Sequence, residues 1–173
     1  DSLGIERLVA ESGGIELGVV TNLSRMADSA RLHIEPCRAE EIVFFVSAKH
    51  VPVKRKKLTL AALARLPLIV KQRSQSKTLD LLKQIEQQGV ELNVFMECES
   101  AEAVKLAVMK NLGVGVLYRD HLKAEIRRGE LKVLSISDLK PTAIESFTIY
   151  NRNRPISPNA QEFLELLRKS QHH

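Results

Sequence analysis

The chain has 173 residues, of which 26 are Lys or Arg and 21 are Asp or Glu, so its net charge is +5, and 44% of its residues are apolar. Its two cysteines, Cys37 and Cys98, are too few for a disulfide framework and too far apart for a CxxC metal knuckle. No apolar stretch approaches the roughly 18 residues of a membrane-spanning helix, so the composition is that of a globular chain with material for one large domain or two small lobes.

The first half of the chain alternates predicted helices and strands. Apolar residues at i, i+3, i+4 spacing predict a helix that Gly13 ends, and Thr59 is placed to cap a second helix that stops before Pro67. A third helix has Asp80 in its first turn, where the helix dipole favours an anion, and ends at Gly89. Runs rich in β-branched and aromatic residues predict four strands, over residues 15–21, 31–37, 41–48 and 68–70.

The second half of the chain continues this alternation. Ser100 is placed to cap a helix that Gly113 ends, and Asp120 is placed to cap another that ends at Gly129. Ser157, which a proline follows, opens the last helix. Further apolar runs predict four strands, over residues 92–98, 114–118, 131–134 and 146–150.

The spacing of these elements predicts the fold class. Strands separated by helices of about ten residues favour an α/β architecture, in which a mixed, mostly parallel sheet is flanked by helices. The strands divide better between two lobes than into one sheet, with strands 41–48 and 146–150 as the crossings. We therefore expect one lobe from residues 1–43 and 146–173, a second lobe from residues 44–145, and a binding cleft.

Three places in the chain fit a ligand site by position. Open α/β sheets bind ligands beyond the carboxyl ends of their strands, where the following helices present unpaired N–H groups. The most informative place is the loop at residues 72–78 (QRSQSKT), whose cationic, hydroxyl and amide side chains suit a carboxylate or a phosphate. The other two places follow strands 15–21 and 92–98. The candidate effector-binding residues are Thr21, Asn22, Gln72, Arg73, Ser74, Ser76, Thr78, Glu99 and Ser100.

Each of these places also has an ordinary structural explanation. Ser76 or Thr78 is equally consistent with a helix cap, and Arg73 with a solvated side chain. Thr21 and its neighbour are consistent with a plain strand exit, and Ser100 with a capping residue. Because a capping residue can also face a ligand, the two explanations of Ser100 are compatible.

The common catalytic and cofactor motifs are missing from the sequence. It contains no GxSxG elbow, no GxxxxGK[ST] loop and no HExxH pair. The run Gly113-Val114-Gly115 lacks the third glycine of the dinucleotide fingerprint and follows a helix where that motif follows a strand. The histidines are scattered, without metal-ligand spacing. We therefore expect no enzyme activity, no cofactor and no metal site.

A basic run at residues 54–57 (KRKK) is the densest positive charge in the sequence. Proteins that bind nucleic acid without sequence preference combine many cations on one face with aromatic stacking platforms. This chain has 4% aromatic residues and no Trp. We interpret the run as a solvated loop, with a contact to a polyanion as the alternative.

Four segments, in their order along the chain, carry a family resemblance. They are GGIELGVVT (residues 13–21), EEIVFFVSAKHVP (40–52), LARLPLIV (63–70) and ESAEAVKLAVMKNLGVGVLYRDHL (99–122). Together they resemble the effector-binding domain of LysR-type transcriptional regulators, a family of bacterial DNA-binding proteins. The last segment, a helix followed by Gly-aliphatic-Gly and a strand, is the most specific. Tyr118 and Arg119 depart from the family, which often has Pro after this strand.

The resemblance implies a fold like that of the type 2 periplasmic binding proteins, with two lobes and a small, often anionic, effector in the cleft. Thr21 and Asn22 then match the first-lobe wall, and residues 72–78 match the helix-start loop of the second lobe. Glu99 and Ser100 match the start of the next helix of that lobe. We expect the first strand and helix of the first lobe to be missing, so that this lobe is incomplete.

The resemblance also implies partners and a location. We expect a cytoplasmic regulator that is neither an enzyme nor a membrane protein, that forms a homodimer, and that is a tetramer when full-length. DNA would be bound only through a missing N-terminal helix-turn-helix domain. The helix at residues 101–111 is the candidate dimer contact, with core packing as the alternative. A solute-binding protein of a transporter, which has the same fold, is the competing functional class.

Overall fold

The structure, a computed structural model, describes residues 2–11, 14–21, 23, 30–49, 58–72 and 77–170. The chain divides into two compact units, Asp1–Glu40 with Ile144–His173 and Glu41–Ala143. Strands β2 (Leu32–Ser47) and β7 (Thr142–Asn151) run across the two boundaries. The remaining strands are β1 (Leu17–Thr21), β3 (Leu68–Lys71), β4 (Val94–Cys98), β5 (Val114–Tyr118) and β6 (Leu131–Val133). The helices are α1 (Ser2–Glu11), α2 (Leu60–Leu63), α3 (Lys77–Gln87), α4 (Ala101–Met109), α5 (Lys123–Arg127) and α6 (Pro158–Ser170).

The first unit is built on antiparallel strands. β1 pairs with β7 so that Leu17 lies opposite Tyr150, and β7 has β2 as its other neighbour. Helix α1 packs on β1, where a Cβ at Gly18 would collide with Ile5, so glycine is needed for this close approach. The core of the unit consists of Val9, Val20, Leu32 and Ile149.

The second unit carries the parallel strands. β3 is parallel to β4 and β5, whereas β2 is antiparallel to β5 and β6. The main core cluster of this unit joins these strands to α4 and consists of Val43, Phe45, Ile69, Val104, Val108, Leu117, Leu122 and Leu131. Within the described ranges, no helix combines the length and the apolar character that crossing a bilayer requires.

The prediction of separate strands over residues 31–37 and 41–48 is wrong. The structure has one strand of 16 residues, β2, that includes Pro36. Proline and the charged residues after it suggested a break, because proline cannot donate to a strand partner. Pro36 is exposed, and a strand tolerates proline where no partner needs its N–H.

Three predicted helix starts are confirmed. The side chains of Thr59 and Ser100 accept from the N–H groups of Ala62 and Ala103, over 3.2 Å in both cases. The Ser157 hydroxyl likewise accepts from the Ala160 N–H, over 3.3 Å. These oxygen atoms satisfy N–H groups that the helix itself leaves unpaired.

Two predicted helix ends need correction. Asp120 lies inside a 3-10 turn, Arg119–Leu122, and caps no helix through its side chain, since α5 begins only at Lys123. Gly113 is not the residue that reverses the chain after α4, because Asn111 takes the left-handed conformation, with a φ of 59°. Gly113 is required for another reason, since a Cβ there would collide with the carbonyl oxygen of Pro67.

A polar cluster in the first unit ties α6 to β2. Arg168 donates to both carboxylate oxygens of Glu35, with distances of 2.7 to 3.1 Å. The ring Nε2 of His33 lies 2.8 Å from Glu35 Oε1, and the Tyr150 hydroxyl donates to the same oxygen over 3.3 Å. The rings of His33 and Tyr150 stack, with centroids 4.6 Å apart. The hydrogen bonds from Arg168 outweigh partial burial and lower the pKa of the Glu35 carboxyl.

We expect Glu35→Gln to destabilise the protein by roughly 1 to 2 kcal/mol at neutral pH, the usual range for a hydrogen bond to a charged group. Because the pKa of Glu35 is lowered in the folded state, its stabilisation is present above the unfolded pKa and is lost as pH falls through the folded pKa. Urea unfolding of the wild type and the variant at neutral and acidic pH measures this. The exposed Glu162→Gln is the control on α6. A difference between Glu35→Gln and wild type that stays constant down to acidic pH would contradict the expectation.

Candidate functional site

The carboxyl ends of three strands lie along one edge of the sheet in the second unit. Because β3 is parallel to both β4 and β5, the residues that follow these strands share that edge. The N–H of Gln72, just after β3, donates over 2.6 Å to the carbonyl of Cys98 at the end of β4. Glu99 and Ser100 follow Cys98 directly, and both are exposed, as is Gln72. The fold therefore brings together Gln72, Glu99 and Ser100.

Helix α4 begins at this edge. Ser100 has extended backbone angles, with φ −125° and ψ 154°, and its hydroxyl caps the helix. The capping explanation of Ser100 is thus confirmed, and it leaves the other N–H groups of the first turn available for a ligand. Glu102 lies in the same turn, where its carboxylate accepts from Lys105 Nζ over 2.7 Å. The ammonium of Lys105 therefore offsets the negative charge next to the helix start.

Helix α3 begins beside the end of β3, at Lys77. Thr78 is inside the helix and is only 7% exposed, so it does not cap α3, and that alternative is wrong. Lys77 forms an ion pair with Asp80 over 3.2 Å. Ser76, like Arg73, Ser74 and Asn22, lies outside the described residues.

Thr21 is the candidate residue that the structure describes in the first unit. It ends β1, lies opposite Ser146 of β7 in the strand register, and is exposed. Its carbonyl accepts from the hydroxyl of Ser2, over 3.0 Å. The Thr21 hydroxyl therefore stands at a strand exit, as the position rule expects.

Arg119 was not among the predicted candidates, although it follows β5 on the same edge. Its Nε donates to Glu41 Oε2 over 2.7 Å, and both side chains are partly exposed. The signal that finds it is the same position rule, since β5 is a third parallel strand whose exit lies beside that of β3. Applying the rule to every strand exit would have included it.

One comparison decides the family. The family model described as LysR substrate binding domain matches residues 4–171, nearly the whole chain. The chain belongs to the LysR substrate-binding domain family. The resemblance predicted from the four sequence segments is therefore confirmed.

Known relatives of this LysR domain include a transcriptional activator. It is 32% identical over 126 residues to the HTH-type transcriptional activator CmpR of Synechocystis sp., which is 73% of this chain and 41% of CmpR. The matched region thus spans less than half the length of that curated relative. The likeness to CmpR places the family resemblance on a regulator.

Two solved structures have the same fold as this LysR domain. The Synechocystis PCC6803 CcmR regulatory domain, in complex with 2-PG, aligns with a TM-score of 0.73 and 21% identity over 96% of this chain and 77% of that chain. The effector binding domain of QuiR, in complex with shikimate, aligns with a TM-score of 0.65 and 18% identity over 96% of this chain and 75% of that chain. The predicted fold class, a two-lobed α/β domain, is confirmed.

A buried ion pair holds α4 of the LysR domain in place. Lys105 Nζ donates to Glu125 Oε1 over 3.0 Å, and the two side chains are 8% and 9% exposed. Burial alone would lower the pKa of Lys105, but the hydrogen bonds to Glu102 and Glu125 outweigh it and raise the pKa. Burial would raise the pKa of Glu125, and the hydrogen bond from Lys105 reverses this. Both groups are therefore charged at neutral pH and fix α4 against α5.

Proposed function

We propose that this chain is the effector-sensing part of a LysR-type transcription regulator and that its effector is a small organic anion. The observation that carries the proposal is the shared edge of β3 and β4. There Gln72 and Ser100 lie next to the start of α4, whose N–H groups favour an anion. Arg73 and Lys77 add positive charge in the sequence at the start of α3.

The ligands of the structural neighbours support the anionic class. CcmR binds 2-PG and QuiR binds shikimate, which is a carboxylic acid. Both are small polar metabolites, of a size that a helix-start site can hold. The proposed effector residues are those predicted from the sequence, namely Thr21, Asn22, Gln72, Arg73, Ser74, Ser76, Thr78, Glu99 and Ser100.

In this proposal the effector is bound and released without reaction. Residues 1–43 with 146–173 form one lobe and residues 44–145 the other, and effector binding shifts a conformational equilibrium. The regulator works in the cytoplasm as a homodimer, or as a tetramer when full-length, and reaches DNA through a helix-turn-helix domain. The name of CmpR, an HTH-type transcriptional activator, supports this assignment over a solute-binding protein of a transporter.

Exposed apolar residues support α4 as the proposed dimer contact. Leu106 is 58% exposed, although it lies in the middle of the helix. The buried Val104 and Val108 on the same helix show that core packing uses a different face. A helix with one buried and one exposed apolar face has a surface free for a partner subunit.

Replacing Ser100 by aspartate tests the site without removing the helix cap. Aspartate caps a helix as well as serine does, but its charge repels an anion. We expect Ser100→Asp to weaken the binding of 2-PG or shikimate at least about tenfold, a loss of 1.4 kcal/mol. Arg73→Ala is expected to weaken the same binding. Thermal-shift titration measures both, because a ligand at 100 times its dissociation constant stabilises a protein by about 2.7 kcal/mol.

Thr59→Asp is the matched control, because Thr59 caps α2 in the same way and precedes β3 instead of following it. It is expected to leave the affinity unchanged. The proposal fails if 2-PG, shikimate and inorganic phosphate all leave the melting temperature unchanged. It also fails if Ser100→Asp binds them as tightly as Thr59→Asp does.

A further inference from the structure

A second cavity lies inside the second unit, away from the candidate effector residues. It has a volume of about 340 Å³ and is lined by Glu41, Ile42, Phe44 and Arg119 on one side and by residues 133–136 and 139–142 on the other. β5 has β3 on one side and β2 on the other. The cavity is on the β2 side of β5, whereas Gln72 and Ser100 follow strands on the β3 side.

The floor of this cavity is apolar and rigid. Ile42, Phe44 and Leu134 are 5%, 2% and 7% exposed. The N–H of Leu134 donates to the carbonyl of Phe44 over 2.8 Å, which fastens the two sides of the floor together. A ligand with an apolar body would gain from covering these side chains.

The outer wall of the cavity is held in place by α2 and the residue before it. Leu58 donates to the carbonyl of Ser135 over 2.9 Å and accepts from the N–H of Ser137 over 2.7 Å. The Asp138 carboxylate accepts from the N–H of Leu60, over 2.8 Å. The wall is therefore preorganised, so a ligand does not have to order it on binding.

The polar groups at the cavity favour an anion. Arg119 and Lys140 are the cations of the lining and Glu41 is its carboxylate, which leaves one positive charge in excess. Glu41 accepts from Nε of Arg119 and so engages one of its five N–H donors. Among the described residues, neither the other donors of Arg119 nor the ammonium of Lys140 has a hydrogen-bond or ion-pair partner.

We propose that this cavity is a second small-molecule site, which binds compact organic carboxylates with an apolar body. The carboxylate lies between Arg119 and Lys140, and the apolar body covers Ile42 and Phe44. A volume of about 340 Å³ is at the small end of ligand pockets, so the ligand is no larger than a single-ring acid.

The position of the cavity gives its ligand a regulatory role. Glu41 is the first residue of the second unit and Thr142 is the last but one, so the cavity touches both places where the chain passes between units. A ligand held here contacts both segments at once. Its binding is thus coupled to any change in their geometry, independently of the effector residues named above.

Titration of the amide-labelled protein with benzoate, followed by NMR, tests this site. We expect saturable shifts at Leu134, Ile136 and Leu139, with a dissociation constant on the order of 1 mM. Benzamide, which lacks the charge, and acetate, which lacks the apolar body, are each expected to bind at least about fivefold more weakly.

Two variants and two controls complete the test. Arg119→Met and Lys140→Met are each expected to weaken benzoate binding at least about fivefold. Lys132→Met, an exposed lysine on β6 outside the cavity lining, is expected to change nothing. Ser100→Asp is also expected to leave benzoate binding unchanged, which separates this site from the proposed effector site.

Three results would overturn the proposal. One is the absence of saturable shifts at the cavity up to about 20 mM benzoate, which would be too weak for a built site. Another is equal binding of benzoate and benzamide. The third is equal loss of affinity in Lys140→Met and Lys132→Met.

Discussion

Replacing Lys105 by methionine is expected to destabilise the protein by about 3 kcal/mol, the typical cost of removing one partner of a buried ion pair. Lys105 is 8% exposed and donates to Glu125, which is 9% exposed. After the substitution, Arg128 is the cation that still reaches Glu125, at 3.4 Å. Among the described residues, Glu125 Oε2 already has no hydrogen-bond partner, so the carboxylate would be left poorly compensated.

Urea unfolding followed by circular dichroism measures this loss. Lys110→Met, at the exposed end of the same helix, is the control and is expected to change stability by less than about 0.5 kcal/mol. The double variant Lys105→Met with Glu125→Leu is expected to recover much of the loss, because no buried charge is then left unpaired. Equal stability of Lys105→Met and Lys110→Met would contradict the buried pair.

The same pair predicts how stability depends on pH. The pKa of Glu125 is lowered in the folded state, so its contribution is present above the unfolded pKa and is lost as pH falls through the folded pKa. The pKa of Lys105 is raised, so its contribution is present below the unfolded pKa and is lost as pH rises through the folded pKa. The stability difference between wild type and Lys105→Met should therefore be largest between these two limits.

Gly115→Ala is expected to destabilise the protein by about 2 kcal/mol, through overpacking of the second-unit core. Gly115 lies opposite Phe45 in the pairing of β5 with β2. A Cβ at Gly115 would overlap the Phe45 ring, and that ring is 0% exposed, so it has no space into which to move. The collision has to be relieved by shifting the strands or the core around them.

Gly14→Ala is the matched control, because a Cβ there meets nothing within 4 Å. It is expected to be neutral or slightly stabilising. Combining Gly115→Ala with Phe45→Leu should restore part of the lost stability, since the smaller side chain leaves room for the new methyl group. Chemical unfolding that finds Gly115→Ala as stable as Gly14→Ala would contradict this packing.

Local patterns predicted the elements of this chain better than their lateral contacts. Helix caps such as Ser100 depend on residues three positions apart, so the sequence carries a direct signal for them. The continuous strand β2 was missed because Pro36 is a strong local breaker, and its tolerance depends on which neighbour needs its N–H. Arg168 and Glu35 are 133 positions apart, and no local pattern predicts that they meet.

The candidate site shows the same division. Gln72 and Ser100 could be predicted because parallel strands present their carboxyl ends at one edge, a rule that needs only the element order. The burial of Thr78 could not, since it depends on the phase of α3 against the sheet. The cavity beside Arg119 could not be predicted either, because its outer wall depends on contacts between Leu58 and the segment from Ser135 onward.

Titration of the amide-labelled protein with 2-PG and shikimate, followed by NMR, tests the central claim most directly. The account predicts saturable shifts at Gln72, Ser100 and the first amides of α4, together with recovery of the ligand chemically unchanged. Saturable binding that leaves these amides unmoved, or conversion of either compound by the protein, would contradict it.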